Sequence, residues 1–288
     1  MLAYLFLFLR IIFLALERIT VKKLGDFGGN TGKNIAATFL FFFIGAISLI
    51  PFVFNERIES GDFIVPVLIN GVIYSLYASL YVISLARGEA SVVTPVSSLG
   101  SLVLLFLSVI FLGESFNISK ITGILLIIFG LSYIRRTNNF LASMKSLFKE
   151  KAVLIMLAAV TIQSFGRILD KLFIIKINPV TYVFFLYLMV SFYLFMYLAF
   201  KGESMLIFSL LKAKPGWALA SGIINGYSYY FLMLAIKDIE LSLAEPLSQT
   251  SMIITVLLSA VFFNEKIKDK IAGALIILLG GWLLFLDF

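Results

Sequence analysis

TPVSSLGSLVLLFLSVIFLGE occupies Thr94–Glu114, and EPLSQTSMIITVLLSAVFFNE occupies Glu245–Glu265. The two register at a constant offset of 151 residues, so that Pro95 meets Pro246, Ser97 meets Ser248, Ser108 meets Ser259, Phe111 meets Phe262 and Glu114 meets Glu265. One residue is then lost, and KITGILLIIFG from Lys120 matches KIAGALIILLG from Lys270. Earlier in each half, RITVK from Arg18 matches RILDK from Arg167, and INGVIY from Ile69 matches INGYSY from Ile224. Leu and Ile identities between apolar helices come cheaply. Matched Pro, Gly, Glu, Asn and Arg in one order do not, so the chain is one design used twice.

Outward from these stretches, 61% of the 288 residues are apolar and only 14% are charged, against about 25% charged in a soluble domain. A single globular core could not hide that much apolar surface. The apolar residues fall in long runs, and a run of roughly 18 or more with few charges reads as a helix crossing the hydrocarbon layer. The chain is read as an all-α, multi-pass membrane protein. Its first apolar run has no basic segment before it and no small-residue cleavage site, so it is taken as a spanning helix and not as a signal peptide.

Apolar runs between polar breaks number about ten, near 3–23, 33–54, 63–86, 91–112, 119–135, 151–175, 180–200, 215–236, 242–263 and 269–287. The longest polar stretch, RRTNNFLASMKSLFKEK from Arg135, sits at the midpoint. The expected organisation is a first five-helix repeat over 1–137, a linker over 138–150 and a second repeat over 151–288. Because five is odd, the second repeat must run inverted in the bilayer, which is the usual build of secondary transporters.

Composition also excludes. The chain has no Cys and no His, which removes disulfides, thiolate nucleophiles and His-based metal sites or proton relays. There is no phosphate-cradling glycine loop and no G-x-S-x-G. No enzyme activity, metal or other cofactor is expected. The net charge of +7 comes from Lys and Arg set between apolar runs, where they orient loops against lipid; nucleic acid is not an expected partner. Loops after odd-numbered spans hold fifteen basic residues and those after even-numbered spans four, which by the positive-inside rule puts both termini outside the cytoplasm.

Small residues, a Pro, an apolar span, then G-E or N-E, a Lys and G-x-x-x-x-x-x-G resemble the EamA-type transporters of the drug/metabolite transporter superfamily. The Glu245–Pro246 pair is typical of that family's second half, and the resemblance covers nearly the whole chain. It implies a ten-helix carrier with a central cavity, alternating access, peripheral fifth and tenth helices, and both termini in the cytoplasm, opposite to the charge rule. First spans of the family often carry W-G-x-N before the Lys; here the stretch is FLALERITVK.

Site candidates follow from depth and facing. A charge inside hydrocarbon costs roughly 2.5–3.5 kcal/mol on the most lenient insertion scale. Arg10 lies deepest, and Glu17 is two turns on along the same helical face. Either Arg10 receives an anionic group of the cargo with Glu17 as counter-ion or proton site, or the two form an internal ion pair. Asn70, Tyr74, Tyr77 and Tyr81 stack on one face of the third span, and Asn225 and Tyr229 answer in the eighth; these rows are read as lining a wet cavity. Gln249 is an amide far into a span and wants a partner. Arg18 with Lys22, and Arg167 with Lys171, are expected to snorkel to the headgroups, Asp170 to pair with a basic neighbour, and Pro95 and Pro246 to sit in the first turn of their helices. The serine stripe of span four (Ser91, Thr94, Ser98, Ser101, Ser108) reads as helix packing, and Glu114 and Glu265 as caps of the helices that follow them.

The expected function is a secondary carrier in the cell membrane for a small polar metabolite, an amino acid or organic anion foremost, with possible coupling to protons. Two rivals stand beside it: a proton-coupled multidrug or organic-cation exporter using Glu17, and a membrane scaffold with no transport cycle.

Overall fold

A computed structural model of the protein describes residues 2–26, 30–54, 63–113, 118–134 and 139–283. Every regular element among them is helical. The first half holds α1 (Leu2–Gly25), α2 (Thr31–Val53), α3 (Ile64–Arg87), α4 (Ala90–Ser97), α5 (Leu99–Leu112) and α6 (Ile118–Leu131). After α7 (Phe140–Phe148) the second half holds α8 (Lys151–Ile174), α9 (Pro179–Phe200), α10 (Met205–Ala213), α11 (Pro215–Asp238), α12 (Leu241–Ser248), α13 (Ser251–Phe263) and α14 (Lys268–Leu283). Six helices are long and apolar enough to cross a membrane when α4 and α5 are taken as one, and α6, α13 and most of α14 are shorter apolar helices. The helix α1 has the length but carries Arg10, Glu17, Arg18, Lys22 and Lys23.

Local sequence sets the ends. Asn30, Asn139 and Asn178 accept from backbone N–H groups in the first turns of α2, α7 and α9 at 2.8–3.0 Å, the usual N-cap role of a short polar side chain. The left-handed positions that end α5 and α13 are Gly113 (φ 68°) and Asn264 (φ 54°), 151 residues apart, and Gly and Asn are the residues that enter that region most readily.

Burial is arranged for lipid. Phe8, Ile110, Leu125, Phe200, Val261 and Leu279 are exposed, whereas most of the buried polar and charged side chains face inward between helices. The helices α6 and α14 lie against each other. Their crossing is close because a Cβ on Gly273 would stand 2.7 Å from the Gly130 carbonyl oxygen, and one on Gly280 2.7 Å from that of Gly123; small residues of this kind let spanning helices approach.

The fold corrects the sequence reading in three respects. The runs expected at 91–112 and 242–263 are each broken, into α4 and α5 around Ser98, and into α12 and α13 around Gln249 and Thr250. Pro95 and Pro246 are not in the first turn. Each is the sixth residue of an eight-residue helix, where the missing backbone N–H of a proline helps to end the helix. After Pro95, the Ser98 N–H returns to the Pro95 carbonyl at 3.1 Å. The amphipathic helices α7 and α10 lie outside the expected spans, being nine residues each and too short to cross. Glu114 lies outside the described residues.

Candidate functional site

Six charged side chains meet between the halves: Arg10, Glu17 and Arg18 on α1, Arg167 and Asp170 on α8, and Glu245 on α12, none more than 6% exposed. Three guanidiniums thus face three carboxylates, which is what burial requires, since an uncompensated interior charge is strongly destabilising.

The two-turn spacing of Arg10 and Glu17 brings them together at 3.4 Å. Arg10 also donates to Ser228 of α11, and Tyr81 donates to Glu17 at 3.5 Å. Arg18 faces both helix breaks at once. It donates to Gln249 Oε1 at 2.8 Å, Ser251 Oγ at 3.0 Å and Ser97 Oγ at 3.4 Å. Among the described residues, no carboxylate lies within 4.0 Å of Arg18.

Arg167 sits opposite. It donates to Tyr74 at 2.8 Å and to Asp170 at 3.3 Å, and its Nε meets Glu245 Oε1. Its guanidinium lies 5.0 Å from the Tyr229 ring centroid and 5.6 Å from that of Tyr74, within cation–π range. Asp170 gathers donors, accepting from Tyr74 (2.5 Å), Asn70 (2.7 Å), Tyr229 (2.7 Å) and Tyr182 (2.8 Å).

The expected site residues are therefore distributed as follows. Arg10, Glu17 and Tyr81 form one cluster, Asn70, Tyr74 and Tyr229 bind Asp170, and Gln249 holds Arg18. Tyr77 packs its ring between Tyr74 and Tyr81 at centroid distances of 5.8 and 5.6 Å. Asn225 stands apart, accepting from Tyr187 at 2.8 Å and donating to the Phe41 carbonyl at 3.3 Å. Asp170 does pair with a basic neighbour, Arg167, as the sequence suggested.

Arg18 and Arg167 do not snorkel. Each is 3% exposed because the hydroxyls, amide and carboxylates above replace its hydration. Lys22 and Lys171 turn inward as well: Lys22 donates to the Gly88 carbonyl beyond α3 and pairs with Glu265 at 3.3 Å, and Lys171 donates to the Ile236 and Ile239 carbonyls at the end of α11. Lysines at helix C-termini satisfy carbonyls left without an intrahelical partner. Nor does Glu265 cap the helix that follows it. It accepts from the Ala90 N–H (2.9 Å) and the Ser91 N–H (2.8 Å) at the start of α4, in the other half. Burial pushes the Glu265 carboxyl up, but the Ser91 hydroxyl and N–H, Lys22 and the Ala90 N–H outweigh it and hold the group below the usual carboxylate range.

Among the described residues, two small voids lie at the centre. One void of about 20 Å³ is bounded by Arg10, Arg18, Tyr77, Ser97, Gln163, Glu245 and Gln249, and one of about 10 Å³ by Ser101, Ser164, Arg167, Glu245 and neighbours. Each has room for about one water. Polar atoms without a hydrogen-bond partner cluster nearby, on Thr94, Ser101, Arg167 and Glu245. A larger cavity of about 480 Å³ lies away from the network, between the start of α1 and the α11–α12 junction, lined in part by Tyr4, Asp238 and Glu240. No metal-binding group of His, Cys, Asp or Glu occurs among the described residues.

A profile of the EamA-like transporter family matches residues 1–136 and again 150–286. The chain belongs to the EamA-like transporter family. As a member it is a multi-pass membrane protein of the drug/metabolite transporter superfamily. It is similar to an uncharacterized protein of Methanocaldococcus jannaschii, 34% identical over 71 residues, which is 25% of this chain and 52% of that relative; the match spans about half of the relative's length. A crystal structure of a protein aligns over 98% of this EamA-like chain and 95% of its own, with a TM-score of 0.66 at 18% identity, a likeness of fold.

Proposed function

We propose that this EamA-like transporter is a secondary carrier of the cell membrane that moves small polar metabolites, zwitterionic amino acids foremost and organic anions next. Ten spans in two inverted five-helix halves, residues 1–137 and 151–288 joined by 138–150, rock about the central network to open alternately on each side. The odd number of spans per half and the doubled family match support this build.

The observation that carries the cargo class is Arg18. Among the described residues this buried guanidinium is held by hydroxyls and an amide, with no carboxylate adjacent, and the carboxylate of a cargo supplies the missing bidentate partner. Across the same void stands Glu245, placed to receive an ammonium group. Gln249 and Ser97 orient Arg18, while Tyr77 and Tyr81 line the void and Asn70, Tyr74 and Tyr229 build the shell behind it; Asn225, on Tyr187 and the Phe41 carbonyl, lies outside this wall. Arg10 pairs with Glu17 and, through Ser228, holds α1 in register with α11. The voids admit about one water, so a cargo enters only when the halves part.

Counterflow exchange in proteoliposomes tests the reading, with pooled amino acids, organic anions and organic cations and with wild type and Arg18→Gln. Exchange of the amino-acid pool that is lost in a monodisperse Arg18→Gln variant is the expected result. Exchange of cations alone would replace the reading with an exporter, and exchange of no pool would favour a scaffold.

A further inference from the structure

The buried network holds three positive and three negative side chains, and it is unevenly paired. Among the described residues, Glu17 is matched to Arg10, Arg167 has two carboxylates, Asp170 and Glu245, and Arg18 has none. Accepting that Arg18 receives the anionic end of a cargo, as proposed above, a zwitterion leaves the net charge at zero. A simple monoanion leaves it at minus one among buried side chains, where an unmatched charge is strongly disfavoured.

One carboxylate is placed to relieve this. Asp170 accepts from three tyrosines, an asparagine and Arg167, so a proton there would have to displace a donor. Glu17 is held by Arg10 and Tyr81. Glu245 is different: its Oε1 is buried, bounds the space between Arg18 and Arg167, and makes an ion contact with Arg167 without accepting an aligned hydrogen bond. The groups facing it are Arg10 and Arg18 from α1, Tyr77 and Tyr81 from α3, and Arg167 from α8, with Glu17, Asp170 of α8 and Tyr229 of α11 one contact further out, against Arg10 or Arg167. The neighbouring α5 has no titratable residue, and those of α14 are confined to its first turn, where Lys270 binds Glu89 and Ser91.

We propose that Glu245 is the coupling carboxylate of the carrier, taking one proton when a monoanion occupies Arg18 and none when a zwitterion does, with its carboxylate then binding the cargo's ammonium group. The same pocket is therefore a proton–anion cotransporter for monocarboxylates and an uncoupled exchanger for neutral amino acids.

The test uses the full-length protein in detergent, with a pH dye in weak buffer and thermal shift as the binding readout. Propionate, lactate and pyruvate are the monoanion probes, and glycine, L-alanine and L-serine the zwitterion probes. One proton taken up per monoanion bound, none per zwitterion, and an anion affinity that falls about tenfold per pH unit wherever that one-proton uptake holds are expected. Glu245→Gln should bind monoanions with no pH dependence and lose at least tenfold for zwitterions, while Glu245→Asp restores the proton uptake. Gel filtration establishes that each variant is folded, and a Gln variant that does not fold leaves the wild-type stoichiometry to decide. Anion binding without proton uptake, or uptake that persists in Glu245→Gln, would overturn the inference while leaving the carrier reading intact. Binding of neither set of probes, together with no counterflow exchange, would overturn both.

Discussion

Arg18 donates to Gln249 Oε1 at 2.8 Å, which ties the first helix of the chain to the point where α12 gives way to α13. The two residues are 231 positions apart, and the amide takes the place of water on a guanidinium that has no carboxylate beside it. Replacing Gln249 with Leu should leave the protein folded. Hydrogen bonds to charged groups are worth about 1.5–3 kcal/mol, so the apparent affinity for an amino-acid cargo in counterflow should fall by about tenfold or more.

Asp170 should behave as a structural group. Breaking a buried ion pair costs about 3–5 kcal/mol, and Asp170→Leu also strands three tyrosine hydroxyls. The variant should melt well below wild type in detergent. Combining it with Arg167→Met should lose less than the sum of the two single changes, because the pair is coupled. Additive losses would show that the two side chains act independently.

The crossing of α6 and α14 has no room for a side chain. Gly280→Val should lower the melting temperature sharply, since even its Cβ would meet the Gly123 carbonyl oxygen at 2.7 Å. Gly216→Ala, which meets nothing within 4 Å at the start of α11, should be neutral in the same melt.

Glu265 supplies a pH dependence. Its folded-state pKa lies below the ordinary carboxylate value of 4.5, so its stabilisation is present above about pH 4.5 and is lost as the pH falls through the lower, folded value. Glu265→Gln should melt lower than wild type near neutral pH by about 1 kcal/mol, the typical worth of a helix N-cap. The difference should shrink under acid; a gap that stays constant down to pH 3 would sever the link to the carboxylate.

The two-fold sequence pattern was legible because polar and turn-forming residues recur at one offset. Gly113 and Asn264 show why such matches carry weight: each holds the same left-handed position in its half. The breaks after Pro95 and Pro246 were written in the prolines but were misread, because an apolar run hides where a helix begins. Depth along the helix singled out Arg10 and sent Arg18 and Arg167 to the headgroups, whereas facing, not depth, decides burial. The available clue was that RITVK and RILDK keep the Arg and the Lys in both halves while the two residues before the Lys change character, Thr20 and Val21 to Leu169 and Asp170. Asp170 and Glu245 needed the fold, since their partners come from helices remote in sequence.

Glu265 closes the start of α4 from the far end of the chain. The first two N–H groups of that helix, Ala90 and Ser91, therefore wait for a residue made 175 and 174 positions later. During synthesis the first half can enter the bilayer, but its broken helix stays unfinished until the last tenth of the polypeptide follows. The amino-terminal half made by itself is thus an incomplete folding unit, and a chain that stops at the end of α13, before Glu265, leaves its defect at α4.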